Sequence, residues 1–103
     1  MKRVIVNYGM PTDTAAFDKH YAEVHTPLTK AMPHLKSFEV SRGEVVSSSE
    51  DEKVYVTAIL TYETQADLEA SMASPEGQAA VEDLGTLATG GVTILTIETE
   101  ELM

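Results

Sequence analysis

Cysteine and tryptophan are both absent from the 103 residues, and the aromatic residues are only two phenylalanines and four tyrosines. Without cysteine the chain has no disulfide framework, no thiolate nucleophile and no cysteine-based metal site. The few aromatic side chains also argue against a platform on which nucleic-acid bases would stack.

Positive charge is scarce as well. Seven lysines and arginines stand against seventeen aspartates and glutamates, which gives a formal net charge of −10. Phosphate backbones and anionic membranes repel such a surface. We therefore expect neither a nucleic-acid partner nor a membrane partner, and we interpret the charge as an aid to solubility.

Long hydrophobic runs are missing too. The apolar run at Val4–Val6 is too short for a signal peptide. No stretch approaches the ~20 apolar residues of a membrane span, so we expect a cytoplasmic protein. The length predicts one domain over residues 1–103, and a chain of this size can bury a core without cross-links.

The first half of the chain predicts a strand, a helix and a second strand. Residues 2–8 are rich in β-formers, and Asp13 or Thr14 can cap the helix that comes next. The helix has an apolar stripe at helical spacing, formed by Phe17, Tyr21, Val24 and Leu28. Pro27 lacks the amide that would bond to Glu23, so we expect a kink or break near residues 25–26. The second strand is predicted over residues 34–45.

The second half predicts a strand, a helix with two starts, and a last strand. A polar loop over residues 47–52 separates the second strand from a strong strand signal over 53–62, which suggests a hairpin. Thr64 and Asp67 form a capping pair, and Ser74-Pro75 marks a second helix start. Residues 92–97 form the last strand.

The order βαββαβ predicts an α+β, ferredoxin-like fold, with an antiparallel four-stranded sheet and the helices on one face. Two helices cover one face only, yet strand residues of both parities are apolar. In residues 54–60, Val54, Val56, Ala58 and Leu60 alternate with Tyr55 and Ile59. A sheet with one wet face should alternate apolar and polar residues. The surplus predicts a homodimer that forms through the sheet.

Residues 8–33 carry a further pattern. It consists of Tyr8-Gly9, the turn Met10-Pro11-Thr12-Asp13, Ala16-Phe17, His20-Tyr21, His25-Thr26-Pro27-Leu28 and Pro33. This combination resembles the opening of EthD-domain proteins, which are named for a protein tied to ethyl tert-butyl ether degradation. His20 departs from the family pattern, which has an aromatic residue at this position.

The resemblance implies a dimeric α/β barrel. Relatives with that barrel include cofactor-free anthrone-type monooxygenases, muconolactone isomerases, polyketide cyclases and many members of unknown activity. The fold alone therefore does not identify the reaction.

His25 is the first candidate for a catalytic residue. It lies where Pro27 disturbs the helix, and histidine exchanges protons near neutral pH. Beside an apolar pocket, it could deprotonate an acidic phenol or carbon acid. The alternative is a structural histidine that bonds free carbonyls near the kink.

Four further residues are assigned to the site. Tyr8 ends the first strand and could donate its hydroxyl to a ligand oxygen, although a half-buried tyrosine with a wet tip is the alternative. Tyr21, His20 and Phe17 are assigned to ligand binding. For Tyr21, core packing is the alternative, and for His20 a solvated side chain.

No metal site and no cofactor are expected. His20 and His25 are five residues apart, a spacing that points two side chains of an α-helix to different faces, whereas ligand pairs favour three or four. The carboxylates are abundant but are not expected to cluster with a histidine, and no convergent set of ligands emerges.

These residues support two hypotheses for function. In the first, the chain binds a small hydrophobic molecule, such as an aromatic or polyketide-like compound, and His25 acts as the acid/base of a cofactor-free monooxygenase, isomerase or cyclase. In the second, it is a non-catalytic accessory or ligand-binding dimer in a degradation pathway, and His25 holds the helix corner. A purely structural dimer is a third possibility.

Overall fold

The computed structural model describes residues 1–103, and its elements have the predicted order. The strands are β1 (Lys2–Gly9), β2 (Ser37–Val40), β3 (Val54–Tyr62) and β4 (Val92–Glu98). The helices are α1 (Thr14–His20), α2 (Thr26–Lys30), α3 (Gln65–Ala73) and α4 (Pro75–Leu87). A π-helical turn, Tyr21–His25, joins α1 to α2. None of the helices combines the length and apolar character needed to cross a membrane.

The four strands form one antiparallel sheet in the order β2-β3-β1-β4. Val6 of β1 lies opposite Ala58 of β3 on one side and Ile94 of β4 on the other. This arrangement confirms the predicted α+β, ferredoxin-like fold and places β1 next to the chain's last strand.

Side-chain caps set the helix starts where the sequence predicts them. Asp13 accepts a hydrogen bond from the amide of Ala16 at 3.0 Å. Thr64 accepts one from the amide of Asp67 at 3.1 Å. Such caps satisfy amides of the first turn that have no partner within the helix.

The predicted kink near residues 25–26 takes the form of the π-helical turn. The amide of Thr26 donates to the carbonyl of Tyr21, five residues earlier. This turn already replaces the usual α-helical bonding next to Pro27, so the missing proline amide does not end the helix. The extra residue changes which side chains face inward. Val24, predicted on the apolar stripe, is 40% exposed, whereas His25 is only 6% exposed.

The second strand is shorter than predicted. His34 has a φ of 64°, in the left-handed region that strands do not use. Beyond Val40, Ser41 replaces regular pairing: its amide donates to the carbonyl of Thr57 at 2.8 Å, and its hydroxyl accepts from the Thr57 amide at 2.9 Å. Residues 41–53 contain neither helix nor strand.

The two faces of the sheet differ in exposure. The inner face packs under the helices and carries the buried residues Val4, Val6, Tyr8, Ala58, Leu60 and Tyr62. By strand alternation and register, the outer face carries Ile5, Ile59, Leu95 and Ile97 along its centre. On this face Leu95 is 47% exposed and Ile97 is 38% exposed, whereas Ile5 and Ile59 are half-buried. The chain itself thus leaves the β4 side of the outer face uncovered.

Candidate functional site

A cavity of about 280 Å³ lies between the helices and the inner face of the sheet. Its lining is almost wholly apolar. The sheet contributes Val4, Val6 and Leu60, and the helices contribute Leu68, Met72 and Leu84, among others. An apolar cavity of this kind suits an apolar ligand that is fixed in orientation by a few polar groups.

Tyrosine, histidine and threonine side chains bring polar groups to the lining, the threonines being Thr29 and Thr96. Tyr8 at the end of β1, and Tyr21 and His25 at the two ends of the π-helical turn, all line the cavity. The ring centroids of Tyr8 and Tyr21 are 5.7 Å apart, and those of Tyr21 and His25 are 5.2 Å apart. The structure therefore gathers three of the predicted site residues in one cluster.

Asp83 of α4 completes this cluster and bridges two histidines. Its Oδ2 lies 3.0 Å from Nδ1 of His25, and its Oδ1 lies 2.8 Å from Nε2 of His20. The side chain of Asp83 is only 11% exposed. Sequence reasoning missed this residue. The statement that no carboxylate clusters with a histidine is wrong, because folding brings Asp83 across from a distant part of the chain.

The π-helical turn explains how two histidines reach one carboxylate. The expectation that His20 and His25 point to different faces is wrong, because it assumes 3.6 residues per turn. Bonding across five residues widens the turn, so that residues five apart come to the same side. No group of three or more metal-ligating side chains is close enough to hold a metal ion.

The environment of His25 favours the neutral imidazole. Burial lowers its pKa, and the hydrogen bond to Asp83 opposes this only in part. An ionised carboxylate only accepts hydrogen bonds, so Nδ1 of His25 carries the proton and donates to Asp83. Nε2 then presents its lone pair at the cavity, 3.4 Å from the hydroxyl of Tyr8.

The two tyrosine hydroxyls are neutral donors. Burial raises the pKa of Tyr21 to about 12. Burial also raises the pKa of Tyr8, and the nearby Tyr21 and Asp83 raise it further. The Tyr21 hydroxyl is buried and makes no hydrogen bond of good geometry, although the Tyr8 hydroxyl lies near enough to oppose in part the effect of burial on the pKa of Tyr21. Unpaired buried hydroxyls are rare in folded proteins and destabilise them.

The remaining predicted site residues lie around this cluster and do not line the cavity. Phe17 stacks on Tyr21 with ring centroids 5.7 Å apart, and its other neighbours are Tyr8 and Tyr55. His20 is partly exposed and contacts Asp83. The ligand-binding roles of Phe17 and His20 stay predictions.

Comparison with known proteins identifies similar sequences and a matching family model. The EthD domain model matches residues 10–90. An uncharacterized 11.0 kDa protein in the thcB-thcC intergenic region of Rhodococcus erythropolis is 37% identical over 103 residues, which make up 100% of this chain and 99% of that protein.

Solved structures of similar fold include a member of the same family. An ethyl tert-butyl ether degradation (EthD) family protein from Bacillus halodurans C-125 has a TM-score of 0.87 and 31% identity, covering 97% of this chain and 99% of that one. A dimeric ferredoxin-like protein of unknown function from Thermobifida fusca YX shares the fold, with a TM-score of 0.70, 14% identity, and coverage of 95% and 90%. With its motifs, its fold and these similarities in agreement, the chain belongs to the EthD family.

Proposed function

We propose that the cavity binds a small hydrophobic molecule that carries an oxygen, and that His25 exchanges a proton with it. The observation that carries this proposal is the buried hydroxyl of Tyr21, which makes no hydrogen bond of good geometry, beside the Nε2 of neutral His25, whose contact with the Tyr8 hydroxyl is long, at 3.4 Å. A ligand oxygen would satisfy the hydroxyl that the chain leaves without a partner.

The chemistry is proton abstraction. An acidic C–H or O–H bond of the ligand breaks, its electron pair stays on the ligand, and the proton goes to Nε2 of His25. The charge that develops on the ligand oxygen is stabilised by the hydroxyls of Tyr21 and Tyr8. Asp83 stabilises the imidazolium through Nδ1, at 3.0 Å.

The resulting carbanion or phenolate opens three routes. Return of the proton to another carbon gives an isomer. Attack on a carbonyl of the same molecule closes a ring, and the resulting alkoxide takes the proton back from His25. Reaction of the carbanion with dioxygen reduces it to a peroxide, which takes up the proton, and loss of water then leaves a carbonyl. None of these routes needs an added cofactor, because the anion supplies the electrons.

The dimension of the cavity suggests a suitable probe. A cavity of about 150 Å³ holds a benzene molecule, so a cavity of about 280 Å³ has room for two fused rings. 2-Naphthol has two rings and an acidic hydroxyl, and its anion absorbs and emits at longer wavelength than the neutral form.

We expect 2-naphthol to bind saturably and to emit as its anion, because the photoexcited naphthol is a strong acid and can transfer its proton to Nε2 of His25 even though the pKa of that group is lowered. Tyr21→Phe removes one donor, which should weaken the affinity by roughly two- to tenfold. His25→Asn keeps an amide donor for Asp83 but has no base, so the probe should bind without ionising. Fluorescence titration measures both quantities.

Tyr62→Phe is the matched control. It removes a buried hydroxyl that bonds to Ser71 at 2.8 Å and does not line the cavity, so it should leave the affinity unchanged. Absence of saturable binding, or an affinity that Tyr21→Phe does not alter, would contradict the proposal. Equal ionisation in the wild type and His25→Asn would favour the non-catalytic ligand-binding dimer.

The proposal also includes a homodimer formed through the outer face of the sheet. Four apolar side chains lie there: Ile5 and Ile59 are half-buried, and Leu95 and Ile97 on the edge strand β4 are exposed. The Thermobifida fusca protein of the same fold is described as dimeric. A second copy would remove this apolar surface from water.

A further inference from the structure

We propose that His20 is a positioning residue, which holds the Asp83 carboxylate so that His25 keeps its proton on Nδ1 and its Nε2 free toward the cavity. This inference rests on the proposed use of His25 as a base. It gives a role to His20, the residue that stands where the family pattern has an aromatic side chain.

The geometry of the carboxylate carries the inference. Each oxygen of Asp83 has one imidazole partner: His20 at Oδ1, at 2.8 Å, and His25 at Oδ2, at 3.0 Å. A carboxylate with one partner can rotate about its Cβ–Cγ bond, but two partners on opposite oxygens fix its plane. His20 makes the shorter contact and reaches Asp83 from the more exposed side.

Orientation of the carboxylate decides which tautomer His25 adopts. In a neutral histidine, the proton resides on the nitrogen that faces a hydrogen-bond acceptor, which leaves the other nitrogen unprotonated. With Oδ2 held beside Nδ1, the proton stays there. If Asp83 turned away, the proton could move to Nε2, which would then donate into the cavity and could not act as a base.

Glutamine and asparagine at position 20 are similarly polar but differ in side-chain length, so comparing them separates the effect of length from that of polarity. Glutamine at position 20 carries an amide nitrogen about as far from the backbone as Nε2 of histidine, so His20→Gln can still donate to Asp83. The asparagine side chain is one carbon shorter, so His20→Asn cannot. His20→Leu removes the donor altogether.

Nitrogen-15 NMR of the unliganded protein reads the tautomer directly, and the His25→Asn spectrum identifies the His25 signals. In the wild type and in His20→Gln we expect Nε2 of His25 to resonate as an unprotonated nitrogen. In His20→Asn and His20→Leu we expect a shift toward the protonated range. Bound 2-naphthol should then ionise less, while its affinity as a neutral ligand changes little.

A His25 signal that stays fully in the Nδ1–H form in His20→Asn and His20→Leu overturns the positioning role. Far-UV circular dichroism shows whether each variant is folded, and if the leucine variant is not, the glutamine and asparagine pair decides. Because the tautomer is read without ligand, its outcome is independent of whether 2-naphthol binds. A failed positioning role is thus distinguishable from a failed binding site.

Discussion

At the scale of single residues, His25 experiences two opposing influences. Removal from water disfavours its imidazolium, whereas the Asp83 carboxylate at 3.0 Å favours it. The net effect is a lowered pKa. A base of this kind is neutral at neutral pH and gains a stabilising counter-charge at the moment it takes up a proton.

The lowered pKa of His25 links protonation to folding. Because the folded pKa lies below the ordinary 6.5, the unfolded chain takes up this proton first as the pH falls. Stability due to neutral His25 is therefore complete above about pH 6.5 and is lost progressively below it. We expect the wild type to lose up to about 1.4 kcal/mol more per pH unit than His25→Asn in this window.

Urea unfolding at a series of pH values measures this difference. His34→Asn is the matched control, because it removes a histidine that is 51% exposed and does not line the cavity, and asparagine tolerates the left-handed backbone at this position. Parallel stability curves for the wild type and His25→Asn would contradict the linkage.

Sequence position alone predicted part of the site. Tyr8, Tyr21 and His25 are identified by strand ends, helical spacing and the Pro27 corner, and they line one cavity. Asp83 was missed because it lies 58 residues from His25, a separation that no local pattern bridges. A signal was nevertheless present. Asp83 lies three residues after the buried Ala80 and four before the buried Leu87, so a carboxylate falls on the inward face of α4.

At the scale of elements, α4 is held against α3 by a very close backbone approach. A Cβ at Gly77 would lie 2.0 Å from the carbonyl oxygen of Ser71, which is far inside van der Waals contact. Gly85, in the same helix, has nothing within 4 Å of such an atom. A side chain is therefore excluded at Gly77 by neighbouring backbone, whereas the space around Gly85 would accommodate one.

Alanine substitution at these two positions should shift stability in opposite directions. Gly77→Ala forces the helices apart and should destabilise the fold by about 1–3 kcal/mol. Gly85→Ala removes backbone freedom from the unfolded chain and should stabilise it by about 0.5–1 kcal/mol. Denaturant unfolding followed by circular dichroism measures both. Equal effects of the two substitutions would argue against the close approach.

The elements themselves were largely predictable, and the misses have local causes. Caps at Asp13, Thr64 and Ser74 mark helix starts by residue type alone. The π-helical turn was not predictable from spacing, because a period of 3.6 places Val24 inward and the structure places His25 there. The late start of β2 reflects the left-handed backbone of His34, a conformation that was not predicted from this residue.

At the scale of the whole molecule, the outer face of the sheet presents apolar side chains that the helices do not cover. Its centre is apolar, and polar groups beside it are already paired. Arg3 donates to the hydroxyl of Thr61 at 2.8 Å, and the hydroxyl of Thr57 donates to Asn7 at 2.8 Å. Such a surface suits burial against a matching copy, since few of its polar groups would lose water without compensation.

A charge at the centre of this face should separate the proposed dimer. We expect the wild type to scatter light as a particle of twice the chain's 11.2 kDa at micromolar concentration. Leu95→Asp would bury an unpaired carboxylate in the interface and should yield the monomer. Val46→Asp, in the exposed loop, should stay dimeric. A wild type that scatters as a single chain would overturn the interface.

The placement of charge on the sheet has a consequence for how two copies would meet. Register and alternation leave one arginine, Arg3, and one glutamate, Glu39, on the outer face, while the whole chain carries −10. Two approaching chains therefore repel through their remote acidic regions and not through the surfaces that touch. Added salt shortens the range of that repulsion to below about 8 Å, so ionic strength should govern the rate of encounter far more than the lifetime of the pair.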